Sequence, residues 1–261
     1  MTRRQKTERR SAMRTDKTRQ PGDVEGTEGT EGAGEPATVR GGGGATADVR
    51  RIATRKAILE VAVRLFAEQG VLAVSNRQIG AAAGKGNTSV VGYYFTSKAD
   101  LVRALMRQFN ERIEVKRQGW FKRLGAEPGL RDWVACLVHP YTEQLDEDGP
   151  PTWHARFIAQ VVADPGMREI TVEEASSESV ARIRRGLSDC LPGLSEQVLG
   201  ERTRIVSHVI VQMCAERERA LAEGTPVQPA SWEEFATGLV DVLVGMWTAA
   251  VTTAENEDAL S

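Results

Sequence analysis

The stretch from Ser75 to Asp100, SNRQIGAAAGKGNTSVVGYYFTSKAD, limits what this chain can fold into more than any other. Ser75 and Gln78 have the spacing of a capping box, in which the serine oxygen accepts from the backbone N–H of residue 78 and the glutamine reaches back. Ile79 and Ala81, Ala82 and Ala83 then suit a short, closely packed helix, and Gly84 suits the left-handed residue that ends it. After the turn, Asn87 is placed to cap a second helix carrying Thr88, Ser89, Val91, Tyr93 and Tyr94. Phe95 turns inward, and Ser97 with Asp100 opens a third helix. Small polar residues at the front of a second short helix suit a probe for the DNA major groove.

The regions on either side are read by their periodicity. A helix is expected from about residue 47 to 69, with Ile58, Ala62, Leu65 and Phe66 on one apolar face and Gly70 as its stop. Arg51, Arg55 and Lys56 lie near its start, either as a wet face or against a phosphate backbone. The helix that opens at Lys98 runs to about Lys122, with Leu101, Leu105, Phe109, Ile113 and Trp120 in register. Further helices are expected at 130–146, 152–163, 166–190, 195–223 and 231–254, separated by Gly- and Pro-containing turns. No strand alternation persists and no internal repeat is found. The fold class is all-α: an N-terminal three-helix helix-turn-helix domain followed by a C-terminal helical domain.

Helix 231–254 is apolar on two faces, one with Phe235, Leu239, Val242 and Met246, the other with Val240, Val244, Trp247 and Val251. Helix 195–223 behaves similarly, with Val198, Ile205, Val209 and Met213 beside Val206, Ile210 and Cys214. A helix apolar on two faces must be buried on two faces. Either other helices of the same chain cover both, or a second copy packs against these two helices in a twofold four-helix interface.

Composition matters chiefly through its unevenness. The net charge is -2, yet residues 1–20 hold eight Lys or Arg against Glu8 and Asp16, and residues 21–36 hold five acids and no base. Residues 1–49 are poor in apolar side chains and are expected to be a disordered extension, either a tail or a basic arm reaching DNA. They carry no apolar segment of the kind a secretory signal needs. No run of about 18 apolar residues marks a membrane span. Three cysteines, Cys136, Cys190 and Cys214, inside helical patterns argue for reduced thiols and a cytoplasmic protein.

Residues 52–105 resemble the N-terminal DNA-binding domain of the TetR family of transcriptional regulators. The likeness rests on Ile58-Leu59, Ala62, Leu65-Phe66 and Gly70, then on Arg77, Ile79, Ala83-Gly84, Tyr94-Phe95, Ser97-Lys98 and Leu101. It implies a helix-turn-helix domain at 50–97, an effector-binding and dimerisation domain at 98–254, and a short tail at 255–261. It also implies a ligand-responsive DNA-binding regulator, a repressor acting as a homodimer through helices 195–223 and 231–254 on a pseudo-palindromic operator. A small-molecule effector would release it. Two departures stand out. One extra residue lies between Gly84 and Phe95, around Lys85-Gly86, and Gly92 stands where the family commonly has a phosphate-contacting tyrosine. Tyr93 is the neighbour placed to take that role.

On this reading, Arg77, Tyr93, Tyr94 and Lys98, with backbone N–H groups near Ser75, position the protein on phosphates. Asn87, Thr88 and Ser89 read bases, although Asn87 serves equally well as a plain N-cap. Val91 and Phe95 are expected in the core. The candidates for lining an effector pocket are Trp120, Trp133, His139, Trp153, His154, Phe157 and Trp247, each of which also fits ordinary core.

No cofactor and no metal is expected: Cys136 and His139 are three apart on one helix face, but two ligands without a second pair make no site. Asp146, Glu147 and Asp148 read as a solvated loop cluster, and no catalytic arrangement stands out. The alternatives are a helical sensor or interaction protein without tight DNA binding and, further off, a helical enzyme.

Overall fold

In the computed structural model, residues 43–84, 89–174 and 176–252 are described. Asn87, Thr88, the longer turn at Lys85-Gly86, residues 1–42 of the N-terminal extension and the tail at 255–261 fall outside them. All regular structure among the described residues is helical: α1 (Gly43–Gln69), α2 (Asn76–Ala82), α3 (Val90–Tyr94), α4 (Lys98–Phe121), α5 (Leu130–Asp148), α6 (His154–Ala163), α7 (Arg168–Glu174), α8 (Glu178–Cys190), α9 (Glu196–Ala222) and α10 (Trp232–Thr248). A single 3-10 turn, Pro165–Met167, precedes α7.

The apolar rhythm explains the packing. Ile58, Ala62 and Phe66 of α1, Ile79 of α2, Val91 of α3, and Leu101 and Val102 of α4 are buried together. In the C-terminal half α10 lies along α5, α9 along α6, and α4 along α5. Phe66 stacks on Phe157 of α6, so the core of the first helices runs without a break into that of the later ones.

Residues 43–49, expected to belong to a disordered extension, are helical: α1 already begins at Gly43. Three further boundaries moved for local reasons. The helix expected over 166–190 is broken. Ser176 Oγ donates back to the Val172 carbonyl at 2.6 Å, and Ser177 caps α8 by accepting from Val180 N at 3.2 Å. Such serine bonds compete with the helical ladder. The helix expected to reach residue 254 stops at Thr248, because Arg202 of α9 takes the carbonyls of Trp247 and Ala249. Ser89 lies in the N-cap position ahead of α3 rather than inside that helix.

The start of α6 is capped from another helix. Its N-cap residue, Trp153, has no side-chain acceptor for the first N–H groups. Glu218 of α9, 1% exposed, supplies one: it accepts from Ala155 N at 3.1 Å, Arg156 N at 2.9 Å, Arg156 Nε at 3.2 Å and Thr152 Oγ1 at 3.1 Å. A buried carboxylate is tolerable only with such complete pairing.

Candidate nucleic-acid interface and binding cleft

The reading head is built on two caps and a turn. Ser75 Oγ accepts from Gln78 N at 3.3 Å, and Gln78 Oε1 accepts from Ser75 N at 2.8 Å, completing the capping box of α2. Gly84 ends that segment at φ +67, where a side chain would be strained. Val91 and Phe95 are buried, which turns Gly92 and Tyr93 outward. Tyr93 is 77% exposed and meets the half-buried Tyr94 edge-on at 5.1 Å. Ser75, Arg77, Gln78, Ser89, Gly92 and Tyr93 are all exposed residues of the α2–α3 segment.

Lys98 has a second task. Its Nζ donates to the carbonyls of Val71 at 3.0 Å and Leu72 at 3.2 Å, tying the start of α4 to the loop after α1. An ammonium has three donors, so one remains for an outside acceptor. Arg55 lies over the Phe95 ring at 5.2 Å, bracing α1 against the end of α3.

A cleft of about 940 Å³ opens in the C-terminal half, walled by α4 to α9. Its apolar lining includes Ile113, Leu137, Ile158 and Ile210, and its rim includes Thr171, Val172, Glu173 and Glu174 of α7. Tyr141 lies in the wall, 9% exposed, and its hydroxyl has no hydrogen-bond partner among the described residues. Burial pushes the Tyr141 phenol well above its ordinary value of 10.0, with Cys214 and Glu218 acting in the same direction, so it stays protonated and able to donate.

The expected aromatic set lies elsewhere. Trp120 stacks on His139 at 4.4 Å and donates to Glu143 at 2.9 Å. Trp133 packs against Gly186 so closely that a Cβ there would stand 2.0 Å from Trp133 Cε2. His154 stacks on Phe109 at 4.7 Å and reaches Asp148 at 3.3 Å. Phe157 faces Phe66, and Trp153 heads α6. Trp247 borders a smaller cavity of about 560 Å³ between α8, α9 and α10. Sequence reading passed over Tyr141 and the aliphatic wall because their spacing is that of plain core. Cys136, its thiol pushed by burial to about 11, and His139, held below its ordinary value by burial, belong to no cluster of three metal-binding groups among the described residues.

The cleft and the head are joined through α4. Arg103 donates to Glu173 at 2.9 Å and Arg107 to Glu174 at 3.2 Å, while Asn110 donates to the Glu174 carbonyl at 3.3 Å. Thus α7, part of the cleft rim, is bonded to the helix that begins at Lys98.

Residues 58–105 match the profile described as bacterial regulatory proteins, tetR family, and residues 135–246 match the tetracyclin repressor-like C-terminal domain, together more than half of the chain. The chain belongs to the TetR family. It is accordingly a ligand-responsive, DNA-binding transcriptional regulator. Two solved TetR-family regulators share the fold of this TetR-family chain. The one from Marinobacter aquaeolei VT8 is 19% identical with a TM-score of 0.54, covering 76% of this chain and 97% of its own. The one from Shewanella sp. PV-4 is 16% identical with a TM-score of 0.50, covering 72% and 95%. Among curated proteins no sequence match was found. Regulators of this family are generally not enzymes. No helix of the described residues is long and apolar enough to cross a membrane.

Proposed function

We propose that this TetR-family protein is a cytoplasmic repressor that binds a pseudo-palindromic operator as a homodimer and leaves it when an effector enters the 940 Å³ cleft. The observation that carries the reading is the double attachment of α4. Lys98 holds its start against the loop carbonyls of the reading head, and Arg103 and Arg107 hold its middle against Glu173 and Glu174 on the cleft rim. An effector that displaces α7 acts on the helix that sets the head. It shifts the protein only by binding the DNA-incompetent form better, and a near-complete switch needs about a 10⁴-fold difference.

In the head, residues 50–97, Arg77, Tyr93, Tyr94 and Lys98 would set the register on phosphates, with Ser75 offering backbone N–H groups. Asn87, Thr88 and Ser89 would meet base edges. The exposure of Arg77 and Tyr93 supports their part. The body, residues 98–254, would dimerise through α9 and α10. Ile205 and Met213 of α9 and Val242 of α10 are exposed apolar side chains, 45%, 40% and 58% accessible, on helices whose other face is core. Twofold pairing would bury them.

Selection of the full-length protein on random DNA tests this reading. A two-half-site palindrome is expected, with tight binding abolished when one half is scrambled. Unchanged affinity after scrambling would remove the dimer model. A second reading, a sensor of this fold without tight DNA binding, draws on Gly92 and on the use of Lys98 within the protein; no enrichment in the selection would favour it.

A further inference from the structure

The charged residues lining the cleft cancel in number, four Arg against four Glu, but they are unevenly placed. Arg107 is paired with Glu173 and Glu174, and Arg117 with Glu114. Three lining charges have no ion-pair partner among the described residues: Arg184 on α8, Arg204 on α9 and Glu111 on α4. The α8–α9 side is therefore cationic. Arg184, Gly200 and Thr203 also border the smaller cavity, whose rim adds Arg185 and Glu196. The apolar wall is formed by Ile113, Leu137, Ile158 and Ile210; the buried Arg117 Nε and Tyr141 hydroxyl, which have no hydrogen-bond partner among the described residues, are both covered by the protein.

We propose that the cleft takes an amphipathic organic monoanion. Its apolar body lies on Ile113, Leu137, Ile158 and Ile210, and its acidic end meets Arg184 and Arg204. This rests on the cleft being the effector site and names the chemistry it selects. The guanidinium forks of the two arginines suit a carboxylate or sulfonate, and a cationic or neutral amphiphile would leave them unanswered.

The test uses two fluorescent probes of similar ring system, the anion anilinonaphthalene sulfonate and the neutral phenylnaphthylamine, titrated into the full-length protein. In the double variant Arg184→Gln/Arg204→Gln the anion should bind about tenfold more weakly, and the neutral probe should change by less than about twofold. Val211→Trp and, separately, Val162→Trp fill the cleft from half-buried wall positions and should block both probes, with helicity checked by circular dichroism.

If the filled variants block both probes but the arginine variant affects them equally, the monoanion is overturned and the cleft stands. If the filled variants block neither probe, or wild type binds neither, the cleft itself is overturned as the effector site, and the inference falls with it.

Discussion

Phe66 of α1 stacks on Phe157 of α6, ring centroids 6.0 Å apart and planes 21° from parallel. Both rings are essentially inaccessible, so the pair seals the reading head to the body within one core. Phe157→Ala should therefore cost about 3–5 kcal/mol, the range for a buried phenylalanine truncated in a core, and Phe157→Leu much less. Urea denaturation gives both values. A loss below about 1 kcal/mol for the alanine variant would mean that the head and body are not held by this contact.

Glu218 makes a different prediction, because its four donors leave no room for an amide. Glu218→Gln places an N–H group against Ala155 N, Arg156 N, Arg156 Nε or Thr152 Oγ1 and leaves the buried Arg156 without its counter-ion. Breaking a buried pair by removing one partner is worth about 3–5 kcal/mol. Thermal unfolding should register it, with Arg156→Met/Glu218→Leu milder than the single change. A single variant as stable as wild type would show that α6 does not depend on its borrowed cap.

Among the described glycines, Gly186 makes the tightest contact, with Trp133. A Cβ at 186 would stand 2.0 Å from Trp133 Cε2 and 2.4 Å from Cδ2, so the ring must shift. Gly186→Ala should destabilise by about 1–3 kcal/mol, as overpacking does. In a Trp133→Leu background the same change should cost far less, and an equal cost there would locate the strain elsewhere.

These contacts mark the boundary of what was legible beforehand. The Ser75–Gln78 box, the Gly84 turn, and the burial of Val91 and Phe95 follow from local rules, because caps and turns are fixed by residues within a few positions of one another. Ser75, Gln78, Gly84, Val91 and Phe95 hold the structural places their spacing gave them, Ser89 precedes α3 instead of lying inside it, and Asn87 and Thr88 lie outside the described residues. The cleft was not legible. It is made where six helices leave space between them, and its wall side chains, such as Ile113 and Ile210, keep the same periodicity as packed core. Trp133 and His154 looked like pocket residues for their chemistry alone. Their partners, Gly186 and Asp148, are set by helix packing that no local pattern encodes. The break at Ser176-Ser177 was encoded locally, but as competing side-chain bonds inside an otherwise unbroken apolar rhythm.

Asp148 should make stability depend on acid. Burial alone would raise its carboxyl above 3.8; hydrogen bonds from His154 and Arg112, with their charge, outweigh burial, and the native value sits lower. Arg112 holds it with two bonds, at 2.5 and 3.1 Å. A carboxylate depressed in the folded state contributes stability that is present above its unfolded value and is lost as pH falls through the folded one. Asp148→Asn should thus be less stable than wild type near neutral pH, with the gap closing as pH drops below 3.8. Urea midpoints across that range check it, and a gap that does not narrow would assign the effect to lost packing.

Gly92 allows the DNA contact itself to be tested. It is exposed, and a Cβ there would meet nothing within 4 Å, so a side chain enters without a clash. Gly92→Ala should stabilise the head by up to about 1 kcal/mol through helix propensity alone. Gly92→Tyr should add to that a phenol at the position from which the family commonly touches a phosphate. A phenol hydrogen bond neutralises no charge, so affinity for the selected operator should rise while the slope of affinity against salt stays the same. Lys98→Ala should do the opposite, weakening binding to all sequences and flattening that slope. If Gly92→Tyr instead weakens binding, the tyrosine fouls the approach, and Tyr93 already occupies the phosphate position.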